Sequence, residues 1–192
     1  AIRLNFAADY ALVFGPNGRG KSNILEAISY LSIGKSVRGA KDPQAVPHDE
    51  DFFDIQGQCI DGRHNQQLRI FYGRKEGKKA FADASALPRV SDLLGLFRTV
   101  HFSPEDVSLV LRFPAQRRRL LDILISQSSV TYLRDLQRYH RVLAQRNHLL
   151  RAAKKLERNY ADPSVMGPWD AQLIESGDQL RWHRLDALEK LR

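Results

Sequence analysis

The sequence predicts an α/β fold: a P-loop lobe with a mixed sheet containing antiparallel strands, carrying an antiparallel helical arm. Three observations predict it. Residues 15–22, GPNGRGKS, satisfy G-x-x-x-x-G-K-[ST] between a strand-like and a helix-like stretch. Residues 52–83 hold three strand-like runs with a hairpin turn between the last two. Residues 129–159 contain neither Gly nor Pro, and their apolar residues recur every seven.

The elements follow in order. AIRLNF (1–6) and ALVFG (11–15) read as short strands joined by a turn at AADY, the second running straight into the glycine-rich loop. Ile24, Leu25, Ile28 and Leu31 have helical spacing, with Gly34 as the stop. Residues 39–51 are polar and proline-bearing, hence a loop. FFDIQGQ (52–58), QLRIFYG (67–73) and KKAFAD (78–83) are strands, and LGLFRTVHF (94–102) ends in another. SPED starts a helix: Ser103 caps, Pro104 takes the first helical position and Asp106 lies three residues on. PAQRRRLLDILISQ is a second helix opened by Pro114.

The long helix from Ser129 repeats Leu136, Leu143 and Leu150, and Val142, Leu149 and Leu156, at seven-residue spacing, the mark of packing against another helix. ADPSVMGP (161–168) breaks it, and a further helix from Trp169 completes an antiparallel hairpin. The expected division is an ATP-binding lobe over 1–127 and a helical arm over 128–192.

Charge is concentrated. The chain carries +8, yet residues 112–158 hold twelve Arg and Lys against three acids, so this segment is +9 and the remainder −1. Such a region points to a polyanion partner. Arg117, Arg118, Arg134, Arg138, Arg141, Arg151, Lys154 and Lys155 are the candidate DNA contacts. Arg117–Arg119 cannot all face one way, because successive helical residues are about 100° apart. The single cysteine, Cys59, excludes an intrachain disulfide and fits a reducing, cytoplasmic setting. No apolar run reaches the ~18 residues of a membrane span, and no secretory signal opens the chain. Ala1 lies inside a strand-like stretch, which reads as a trimmed start. His101, His140 and His148 have no metal-ligand spacing, and no Ser-His-Asp or Cys-His arrangement occurs.

The loop carries the chemistry. Its glycines let backbone N–H groups turn inward around a phosphate. Lys21 reaches the outer phosphates, Ser22 offers a hydroxyl to Mg²⁺, and the following helix adds its dipole.

PNGRGKS resembles the loop of ABC-type ATPases, particularly SMC and DNA-repair heads. GKSVRG, VHFSPEDVSLV, PAQRRRLLD, YLRDLQRYHRVLAQRNHLL and WDAQLIESGDQL then occur in the order found in the RecF family, so the resemblance covers nearly the whole chain. It departs at Arg112 and Phe113, where the family has a glycine and a small residue before the proline. The resemblance implies an ABC-type head with an inserted helical arm. It implies an ATP-dependent DNA binder that dimerises around two nucleotides. Such a protein acts at gaps and single-strand/double-strand junctions with RecO and RecR, and indirectly helps to load RecA. Gly15, Pro16, Asn17, Gly18, Arg19, Gly20, Lys21 and Ser22 then hold ATP, with Ser22 on Mg²⁺. Arg38 takes the place of an arginine-loop residue near the nucleotide, and Glu105 or Asp106 that of the Q-loop. On residue chemistry alone, Arg38 equally reads as a surface arginine and Asp106 as a first-turn charge.

An ABC site also needs an SGGQ-like signature and four aliphatics ending in Asp-Glu, and neither occurs. In LLDILI, Ile123 stands where the glutamate belongs. The expectation is the first half of a RecF-like protein, one that binds ATP without turning it over. Two other readings compete. An SMC-like chromosome-organising head needs a much longer arm than the ~30 residues before the break. A small-molecule P-loop kinase needs an acceptor pocket and lid, against which the antiparallel strands and basic hairpin argue.

Overall fold

The computed structural model describes residues 2–6, 9–61, 64–107, 114–155 and 163–191. They fall into two compact units, divided between Leu93 and Leu94.

The first unit is built from a helix and a meander. Helix α1 (Lys21–Ile33) ends where expected, at Gly34, whose left-handed φ of 68° turns its N–H onto the Tyr30 carbonyl at 2.9 Å. A short helix, α2 (Asp42–Ala45), sits inside the stretch expected to be loop. The strands are β1 (Phe52–Asp61), β2 (His64–Gly73), β3 (Gly77–Ala82) and β4 (Ser85–Ala86), antiparallel in the order β1-β2-β3-β4. The register opposes Ile55 to Ile70, Gly57 to Leu68 and Ile70 to Ala80, so alternate residues share one face.

That face and α1 make the core, with Tyr30, Leu31, Leu68, Ile70, Ala80 and Leu93 buried. Gly57 lets the helix approach, since a Cβ there would meet Leu31 at 2.5 Å. Tyr30 packs edge-on against Phe53, which stacks on Tyr72. Asp42 ties the layers together: Lys78 Nζ donates to it at 2.7 Å and to the Gly34 carbonyl at 2.9 Å, and the Tyr30 hydroxyl donates to it at 3.2 Å. The β3–β4 turn puts both Asp83 (φ 49°) and Ala84 (φ 64°) in the left-handed region, as a two-residue hairpin turn demands.

Three expected strands are corrected. Residues 2–6, 11–15 and 94–102 form no strand among the described residues. Apolar alternation supplies a face, whereas a strand needs a backbone ladder partner, and among the described residues these segments pair with none; Thr99 bonds the Gln127 side chain instead. Leu12 and Phe14 are both 85% exposed.

The second unit is helical. SPED forms a single 3₁₀ turn (Pro104–Val107). It leads toward α3 (Pro114–Ser128), α4 (Val130–Lys155) and α5 (Pro163–Lys190). Helix α5 begins six residues before the expected Trp169 and carries Pro168 internally. Pro at the first helical position costs nothing, so Pro163 starts the helix, and Pro168 forfeits one backbone bond without ending it. Leu156 lies outside the described residues.

Side-chain contacts show α4 and α5 running antiparallel: Asp135 faces His183 at 3.8 Å, and the ion pairs Arg138–Glu175 and Arg146–Asp170 close at 2.9 Å and 2.5 Å. Helix α3 closes a three-helix junction in which Ile125, Tyr132 and Leu180 are buried against Leu121, Leu136 and Tyr139. Inside it the Tyr132 hydroxyl donates to Asp122, and Arg184 donates to the same carboxylate oxygen through Nη2 at 2.7 Å and Nε at 3.1 Å. Burial, then the bond to Asp122, holds the Tyr132 phenol well above its ordinary value.

Candidate functional site

The phosphate-loop residues lie between residues 11–14, which are exposed, and α1. Gly15 (φ 144°), Gly18 (φ 79°) and Gly20 (φ 83°) adopt backbone conformations closed to most side chains, and Gly20 is the N-cap of α1. Lys21 folds back over the loop, its ammonium donating to the carbonyls of Gly15 at 2.7 Å and Pro16 at 2.8 Å. Pro16, Asn17, Gly18 and Arg19 are exposed, so the concave side of the loop is open to solvent. Ser22, next to Lys21, is exposed, and its hydroxyl has no protein partner among the described residues. A glycine cradle, a cation held over it, a free hydroxyl and a helix N-terminus are the donor set that a polyphosphate with a divalent cation requires.

Arg38 reaches the same helix. Its Nε lies 3.5 Å from Glu26 on α1, and Glu26 also accepts from the Ser36 hydroxyl. Ser36 is buried and takes the Ala40 N–H at 3.2 Å, so the 34–40 loop is anchored while the Arg38 side chain stays 58% exposed. Neither Glu26 nor Ser36 was legible as a partner. A glutamate one and a half turns past the P-loop lysine was the available signal.

Asp106 accepts from both the N–H and the hydroxyl of Ser103, at 2.7 and 2.8 Å, so its carboxylate closes the 3₁₀ turn. The Glu105 side chain lies outside the described residues, as do Arg112, Phe113 and the Lys155 side chain.

The basic candidates separate by environment. Arg134 and Arg141 are exposed on α4, two turns or about 10.5 Å apart, with His148 two turns further along the same stripe. Arg151, Lys154 and Arg118 are also exposed, whereas Arg138 is drawn to Glu175. Arg117 and Arg119 are exposed and engaged in interactions of their own on α3. Among the described residues no cluster of His, Cys, Asp and Glu could hold a metal, and no helix is long and apolar enough to cross a membrane.

Known proteins share this arrangement. The AAA domain family model matches residues 2–161. The DNA replication and repair protein RecF of Heliobacterium modesticaldum is 37% identical over 190 residues, covering 99% of this chain and 50% of that protein. RecF of Salinibacter ruber is 34% identical over 186 residues, covering 96% and 45%. The chain thus spans about half the length of the curated relatives it matches. A solved structure described as the recombination mediator protein RecF-ATPrS in the RecFOR pathway superposes with a TM-score of 0.85 at 34% identity, over 93% of this chain and 47% of that one. A RecF-ATP structure from the same pathway gives 0.83 at 35% identity, over 91% and 46%. The α/β lobe with its antiparallel sheet and helices is therefore the fold of these RecF structures.

Proposed function

Because this chain belongs to the AAA domain family and is related over nearly its whole length to RecF, we propose that it is the ATP-binding portion of a DNA-repair ATPase. The observation that carries the reading is the loop itself: three glycines at left-handed or related φ, with Lys21 poised 2.7 Å from the Gly15 carbonyl. The triphosphate lies in the cradle of residues 15–20, its outer oxygens against Lys21 and the α1 N-terminus. Ser22 would supply a hydroxyl ligand to Mg²⁺, whose charge would offset that of the phosphates. Arg38, paired with Glu26 on α1 and largely exposed, is the candidate arginine beside the nucleotide.

DNA binds the exposed cations of α4, Arg134, Arg141 and Arg151, with Lys154 beyond them, and the α3 arginines extend the patch. The lobe proper covers 1–127 and the arm 128–192. The partners in this reading are gapped or junction DNA, a second copy in an ATP-dependent dimer, RecR and RecO, and indirectly RecA, in the cytoplasm; the pathway name printed for the solved relatives, RecFOR, supports RecO and RecR. Calorimetric titration of ATP into the chain and into Lys21→Ala tests the reading. The variant should bind at least ~10-fold more weakly with an unchanged far-UV spectrum, because it loses the cation facing the phosphates. Equal affinities would refute it.

A further inference from the structure

The sheet has a second face, turned away from α1, and its side chains are exposed or half-exposed. It displays Phe52, Asp54, Gln56 and Gln58 on β1, Gln67, Arg69 and Phe71 on β2, and Lys79 and Phe81 on β3. Phe52 is 47% exposed and stacks on Phe71 with ring centroids 5.8 Å apart. One row further, the Arg69 guanidinium lies 5.3 Å from the Phe81 centroid. It is locked there by Asp54, which accepts from Nε at 2.9 Å and Nη2 at 2.7 Å.

This pairing cancels the single carboxylate of the face, leaving Lys79 as its net charge. Lys79 lies directly across from Phe71 in the register. Arg74 and Lys75 stand exposed in the adjoining turn, while Glu76 folds back over Gly73. Lys79, Arg74 and Lys75 thus form a second cationic group distinct from α3 and α4, whereas Lys78 lies on the core face with Asp42.

An interior stabilised by cross-strand aromatics would bury such rings. Here Phe52 is exposed and Phe71 and Phe81 are half-buried, the Phe81 ring continued outward by the Arg69 guanidinium, with cations at one edge. Flat rings suit the π-faces of unpaired bases, a guanidinium over a ring extends the same plane, and Lys79, Arg74 and Lys75 suit phosphates. A duplex hides its base faces and gains nothing from the rings. We propose that this face of the sheet binds single-stranded nucleic acid, with bases stacked on Phe52, Phe71 and the Arg69–Phe81 pair and the backbone along Lys79 toward the turn. The proposal rests on the DNA-binding reading above and assigns the single strand a site separate from the α4 cations.

Fluorescence polarisation with a labelled oligothymidylate of about 20 nucleotides and with a duplex of equal length tests it. Phe52→Ala/Phe71→Ala should weaken the single-strand complex at least ~10-fold and leave the duplex within about twofold. Arg134→Glu/Arg141→Glu should do the reverse. Phe52→Ala alone and Lys79→Glu, which alter exposed side chains, should each give a several-fold single-strand loss should the double variant misfold. Photo-crosslinking an iodouracil-containing oligonucleotide should label Phe52 or Phe71. Unchanged single-strand affinity in the folded sheet variants, or crosslinks confined to α4, overturns the proposal. Loss of duplex binding on α4 charge reversal would in that case leave the DNA-binding reading standing.

Discussion

Replacing Asp122 by Ala removes the acceptor shared by Tyr132 and Arg184. Arg184 keeps only its 3.1 Å bond to the Tyr132 hydroxyl, and its guanidinium is left without a counter-charge. Breaking a fully buried pair costs about 3–5 kcal/mol, and a surface pair contributes about 0–1. With the Asp122 and Arg184 side chains 19% and 25% exposed, the cost lies toward the buried limit, about 2–3 kcal/mol. For a unit of about 100 residues this lowers Tm by about 10–20 °C. Both tryptophans, Trp169 and Trp182, lie on α5, so fluorescence-detected urea unfolding reports on this unit alone. Asp122→Ala/Arg184→Met, which removes both charges, should lose less than the two single variants together. A loss under about 0.5 kcal/mol for Asp122→Ala, or strict additivity, would show that the network does not hold the junction.

Four further outcomes are expected. Reversing Arg134 and Arg141 should reduce a log–log salt slope for duplex DNA near −4, the value for about four neutralised phosphates, without altering ATP affinity in titration calorimetry. The chain should release phosphate from ATP at background rate with or without DNA, since neither four aliphatics ending in Asp-Glu nor an SGGQ-like segment occurs in its sequence; DNA-stimulated turnover lost in Lys21→Ala would contradict this. Tyr30 and Tyr132 are both held protonated above their ordinary value near 10 by burial first, and then by Asp42 and Asp122. The folded state thus keeps protons the unfolded chain releases, so urea stability should be level to about pH 9 and fall above pH 10, with Tyr132→Phe flattening the tryptophan-detected decline. Ala84→Gly should raise the urea midpoint of the sheet unit by about 1 kcal/mol in stability, because Ala84 carries the cost of a left-handed conformation that glycine does not.

Local signals were read well from the sequence. Gly34 as a stop, Pro114 as a start, the β2–β3 turn and the uninterrupted α4 each depend on residues a few positions apart. The glycine conformations of the loop and the helix that follows it were legible for the same reason: their determinants are contiguous. Failures cluster where the determinant is distant. Residues 11–15 have the alternation of a strand, but a ladder partner is not encoded in the segment itself. Asp122 and Arg184 are 62 positions apart, and nothing in either neighbourhood marks the other. The charge count located the basic helices but could not show that Arg138 is drawn to Glu175. It also averaged away the cationic β2–β3 hairpin, because nearby acids cancel it in the sum.

Among the described residues, helix α1 is anchored most firmly at its C-terminal end. Its last five residues, Ser29 to Ile33, are buried, and its terminus is pinned by Lys78 through Gly34 and Asp42, whereas Lys21 is half-exposed and Ser22 and Asn23 are open. A 13-residue helix is about 20 Å long, so a displacement of 1 Å at the phosphate end corresponds to a tilt of only about 3° about the sheet end. The helix is in effect a cantilever: compliant at the tip beside the proposed phosphate site, stiff at the root that meets the sheet. Amide hydrogens should therefore exchange fastest in its first turn and slowest in its last, and occupation of the loop should erase that gradient from the tip inward.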